Sequence, residues 1–99
     1  MSVRLVVTMQ ANPGRGTELL EQMELRCAEA RKEPGCEQFD IFQSGRDPDM
    51  LCLLELWEDQ DALDVHAALN AATTPNPRMV ELRADGPRSR EDYEYNRTG

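Results

Sequence analysis

Apolar and polar residues change their repeat several times along this chain, and each change marks an element. Residues 3–9 are β-branched and apolar with partial alternation, which predicts a strand, and Asn12, Pro13 and Gly14 end it with turn chemistry. Over residues 17–32 the apolar positions Leu19, Leu20, Met23, Cys27 and Ala30 recur at helical spacing while Glu18, Glu21, Glu24 and Glu29 fall elsewhere, which predicts an amphipathic helix. Glu33-Pro34-Gly35 stops it, because proline disfavours helical geometry in the residue before it and glycine allows a left-handed turn. Glu33 is expected to serve that turn. Phe39 and Ile41 then alternate with Gln38 and Asp40, so a second strand spans Cys36–Gln43; a polar turn cluster, Ser44 to Asp49, leads to a returning strand over residues 51–57.

Asp59 is placed to cap a second helix in which Ala62, Leu63, His66 and Leu69 share a face, with Asp61 and Asp64 turned to solvent. His66 is thereby expected to point inward. After Thr73-Thr74-Pro75-Asn76-Pro77, residues 79–83 alternate weakly and supply the expected last strand. The charged segment 86–99 has no apolar periodicity and is expected to be a polar tail, mobile or laid on a partner, outside a domain covering residues 1–85. The resulting order, β-α-β-β-α-β, is an α+β, ferredoxin-like arrangement: a four-stranded antiparallel sheet with both helices on one face. Residues 51–57 are largely apolar on both faces, so the sheet face away from the helices is expected to be covered by a second copy.

Composition narrows the function. A net charge of −8, from 19 acidic and 11 basic residues, disfavours nucleic acid and anionic membrane surfaces as partners. No apolar run approaches the ~20 residues of a membrane span, and the reading is a cytoplasmic protein. Three cysteines, Cys27, Cys36 and Cys52, match neither a disulfide framework nor a metal-ligand spacing; Cys27 and Cys52 read as small core residues and Cys36 as the most reachable. No metal site is expected. His66 is the only histidine, and so the only side chain whose ordinary pKa lies near neutrality. Glu55 lies inside an apolar strand, where an ionised carboxylate needs a partner. Trp57 shares its strand face.

Glu33-Pro34-Gly35-Cys36, the run Leu54-Glu55-Leu56-Trp57-Glu58, and Asp61 through His66 stand in the order and spacing of the antibiotic biosynthesis monooxygenase family, which residues 3–84 resemble. The resemblance implies a dimeric α/β barrel, in which two ferredoxin-like protomers close their sheets together, and no cofactor. It further implies oxidation of an aromatic or quinol-type small molecule, with His66 as base or oxyanion donor, Glu55 orienting or pairing beside it, and Trp57 as a wall for the hydrophobic aromatic ligand. A non-catalytic small-molecule-binding or stress-associated homodimer of the same fold is the alternative. Haem-degrading relatives are not matched: His66 stands where they carry a tryptophan, no later histidine exists to bind iron, and Val7 replaces their asparagine. Nor does an acidic chain without a phosphate cradle suit the relatives that isomerise phosphorylated sugars. The interval of about a dozen residues between His66 and the expected last strand is shorter than in relatives, which favours an open pocket and the alternative.

Overall fold

The computed structural model describes residues 1–85 and 89–98 of the chain. Its elements are β1 (Val3–Gln10), α1 (Gly16–Ala30), β2 (Cys36–Gln43), β3 (Met50–Trp57), α2 (Gln60–Ala72), α3 (Pro77–Leu82) and β4 (Ser89–Glu94). The strands form one antiparallel sheet in the order β2-β3-β1-β4, the ferredoxin-like topology expected from the pattern.

The alternation of β1 and β3 decides which face the helices cover. Leu5, Val7 and Met9 lie opposite Glu55, Leu53 and Leu51, and together with Phe39 and Trp57 they meet Leu19, Met23, Cys27 and Ala30 of α1, Leu63 of α2 and Leu82 of α3. Each such side chain, fully buried, stabilises the fold by roughly 1.5–3 kcal/mol before conformational entropy is counted. The other face carries Val6, Cys52, Leu54 and Leu56, with Phe42 and Met50 at 49% and 37% exposure.

Two departures from the sequence expectation reshape the C-terminal third. Residues 79–83, expected as the last strand, lie in and just after the helix α3: Pro77 stands in its first turn and the Asn76 side chain accepts from the Arg78 N–H at 2.9 Å, start signals that outweigh a short alternation. The fourth strand instead comes from the segment expected to be a tail, where Ser89–Glu94 pairs with β1 in the register Val3↔Glu94 to Thr8↔Ser89. Residues 86–88 and 99 of that segment lie outside the described residues. The interval between His66 and the last strand is therefore not short, and it holds the extra helix whose lack had argued for an open pocket. Among the described residues no helix is long and apolar enough to cross a membrane.

Candidate functional site

The site is assembled where the turn after α1 meets the start of α2. Asp59 caps α2 as expected, its side chain accepting from the Ala62 N–H at 2.8 Å. Gly35 holds the left-handed conformation at φ +79°, and its carbonyl accepts from the Glu58 N–H at 2.9 Å; a Cβ there would lie 2.6 Å from that of Ala62. This close approach carries Glu33 to the imidazole of His66, one turn further along α2. Nδ1 of His66 lies 2.9 Å from Glu33 Oε1. Glu33, expected only to end a helix, thus anchors the ring.

His66 points inward as expected and is 4% exposed. Its ring lies 4.6 Å from that of Trp57 at 34° and 5.3 Å from that of Phe39 at 61°, centroid to centroid, so aromatic neighbours limit its rotation. Glu55, 5% exposed, projects from the same face of β3 as Trp57 and accepts the Trp57 Nε1–H at 2.9 Å. Its Oε1 is 4.0 Å from His66 Nε2. Burial pushes the Glu55 carboxyl above its usual range, against the opposing pull of the Trp57 N–H, His66 and Arg90.

These groups border a cleft of about 890 Å³ between the sheet and the helices. Its floor is apolar, built from Leu5, Val7, Met9, Leu53 and Phe39, while His66, Asn70 and Glu55 face it at one end and Met79 of α3, Arg83 just after it and Arg90 of β4 border it. The Arg90 guanidinium is held by Asp92 at 2.8 and 3.1 Å. The structure therefore brings His66 and Glu55 together on the cleft. Trp57 is different: it is fully buried and outside the lining, behind the two polar residues, with its N–H turned to Glu55 and its ring to His66.

Asn70, Arg26 and Arg90 escaped the sequence reading. Asn70 follows His66 by one helical turn, and that i, i+4 spacing was the available signal. Its Nδ2 lies 3.1 Å from His66 Nε2, and its Oδ1 accepts from Arg26 of α1. Arg90 could be found only by recognising β4 as a strand. The cysteines take no part: burial pushes the Cys27 thiol up to about 12 and also raises Cys36 and Cys52, the latter on the outer sheet face, so none is an activated nucleophile. Among the described residues no three His, Cys, Asp or Glu side chains converge as a metal site, and no buried side-chain nitrogen or oxygen lacks a partner.

The ferredoxin-like domain thus holds a buried carboxyl and an anchored imidazole at one end of an apolar cleft. The chain belongs to the antibiotic biosynthesis monooxygenase family, whose model matches residues 2–74. Among solved structures it is similar to PA3566 from Pseudomonas aeruginosa, at 23% identity over 97% of this chain and 95% of that one with a TM-score of 0.76. It is similar to Rv0793 from Mycobacterium tuberculosis at 20% identity over 99% and 98%, TM-score 0.76. A crystal structure described as an antibiotic biosynthesis monooxygenase matches at 21% identity over 96% and 99%, TM-score 0.78. Likeness at this identity establishes the fold and extends it beyond the family match, through α3 and β4. Comparison with curated proteins finds no match.

Proposed function

We propose that the protein is a cytoplasmic, homodimeric, cofactor-independent monooxygenase that oxidises an aromatic or quinol-type small molecule held in the cleft, with His66 and Glu55 as its catalytic pair. The observation that carries this reading is the placement of an anchored imidazole 4.0 Å from a buried carboxyl at the end of an apolar floor. Such a reaction asks little of the protein beyond a dry pocket, a proton acceptor and groups that tolerate a developing oxyanion. The phenol gives its O–H proton to His66 and becomes an electron-rich phenolate. Its para carbon then passes two electrons to dioxygen, forming a C–O bond, and the proton held on His66 moves to the terminal oxygen to complete a hydroperoxide at that carbon. Loss of one water, which takes the para hydrogen and breaks the O–O bond, leaves a quinone; phenol plus O2 becomes quinone plus H2O. Trp57 positions both partners and does not touch substrate.

The test is turnover by protein stripped of metal and flavin. Oxygen consumption with an anthrone, whose enol carries a phenol-type O–H para to a C–H, should exceed the buffer rate, and His66→Ala should lower the excess by about 10²-fold or more while the fold persists. Equal rates for the two proteins would remove His66 from the chemistry. An aromatic compound that raises the melting temperature but is recovered unchanged would turn the reading to the non-catalytic binding dimer.

A further inference from the structure

We propose that Asn70 and Arg26 are positioning residues that fix the tautomer of His66, so that a lone pair on Nε2, and not an N–H, faces the cleft. The inference rests on the functional reading above and decides between the two roles an imidazole could take there, proton acceptor or oxyanion donor.

The assignment starts from the one group in the chain of contacts whose hydrogen-bonding role admits no alternative. A guanidinium has donors only. Arg26 meets the Asn70 amide, so the atom facing it is the carbonyl Oδ1, and the NH2 of the same amide is turned to His66. That Nδ2 has only hydrogens to offer and lies 3.1 Å from Nε2, so Nε2 accepts and carries a lone pair. The other side of the ring gives the same answer independently. Nδ1 is 2.9 Å from Glu33 Oε1, a carboxylate oxygen that only accepts when ionised, so Nδ1 carries the hydrogen. Arg26 also closes the circuit, approaching Glu33 Oε2 at 3.9 Å. Turning the amide over would set its NH2 against a cation, and the Trp57 and Phe39 rings resist turning the imidazole over.

The consequence is chemical. A phenol entering the cleft brings an O–H to the lone pair that the Asn70 N–H now occupies, and one donor replaces another. The proton moves to Nε2 and the electron pair stays on the phenolate oxygen. The imidazolium so formed has the Glu33 carboxylate at Nδ1–H and Glu55 Oε1 4.0 Å from Nε2, so its charge forms between two acidic side chains. An oxyanion donor would need the opposite tautomer.

Because His66 is the only histidine, ¹⁵N-histidine labelling reports one ring with two nitrogen resonances. Above the ring's titration, the full-length protein should show Nε2 as the unprotonated, pyridine-type nitrogen and Nδ1 as the protonated, pyrrole-type one. Arg26→Met frees the amide to turn and should move both resonances toward an average of the two tautomers. Arg26→Lys, which restores a donor-only cation, should return them toward the original values. Asn70→Asp sets an acceptor at Nε2 and should convert that nitrogen to the protonated type. A pyrrole-type Nε2 in the parent protein, or resonances indifferent to all three changes, would overturn the proposal. Far-ultraviolet circular dichroism of each variant separates these shifts from unfolding. The readout needs no substrate: the expected tautomer in a protein that oxidises no phenol would sink the functional reading alone, and turnover with the opposite tautomer would sink this one alone.

Discussion

Glu55 sets a carboxyl's preference for water against a site that offers it one indole N–H and a nearby imidazole. Burial wins, and the folded chain holds that proton more tightly than the unfolded chain does. The sign of the linkage follows: a raised acid contributes stability that is fully present below its unfolded value, near pH 4, and is lost as pH rises through the raised folded value. Glu55→Gln keeps an acceptor for Trp57 and removes the titration, so its urea midpoint should gain on the parent's progressively from about pH 4 upward. Parallel midpoint curves would mean that the carboxyl is not strained by burial. Trp57→Phe deletes the N–H and leaves a void beside His66; it should cost about 2–4 kcal/mol in equilibrium unfolding and lower turnover without removing binding. The sequence placed His66 correctly on an inward face, since the helical period specifies direction, and set Glu55 and Trp57 on one face of their strand. It could not show that Trp57 stands behind His66 and Glu55, because two residues on one strand face share an orientation without sharing a neighbour.

Among the elements, those with strong periodicity were legible and the last two were not. Strands 3–9 and 51–57 and both long helices followed from apolar spacing, and Asp59 was recognised as a cap because its side chain precedes the periodic run. Met79 through Arg83 misled because over five residues one helical turn and a strand both place apolar residues near alternation, and Met79 and Leu82, three apart, are the pair that α3 turns inward. β4 left no apolar signal at all: its side chains are exposed, and its place comes from backbone pairing with β1, with the charges that protect an edge strand. Truncation after Asp85 should therefore be severe even though every side chain of β4 is exposed. At about 0.5–1.5 kcal/mol per lost backbone bond it should cost roughly 3 kcal/mol or more and leave β1 an unprotected edge, seen as a lowered melting temperature with aggregation. A truncated chain as stable and soluble as the parent would show β4 to be dispensable. Asp59→Ala, by contrast, should cost about 1 kcal/mol and leave the chain folded.

For the whole molecule the outer sheet face is the apolar surface that the helices do not cover. Val6 and Leu54 are register partners at its centre, Cys52 lies beside them, and Phe42 and Met50 are exposed toward one end. At the opposite end the molecule covers its own apolar surface: Arg4 hydrogen-bonds Gln38, stacks 5.1 Å from the Tyr95 ring, and stands in register with Leu56, which is buried. The patch is thus bounded by polar groups on one side, half-buried in the middle and exposed at Phe42 and Met50, the pattern of a surface that associates. Two like copies of net charge −8 repel, so a homodimer would have to be held by apolar burial and should tighten as salt screens the repulsion. Sedimentation equilibrium should give twice the chain mass, with a dissociation constant that falls on raising ionic strength. Leu54→Lys puts a charge at the centre of the face and should yield monomers that keep their helical and strand signals. A dimer that survives this change, or one that salt dissociates, would place the interface elsewhere and its origin in charge pairing.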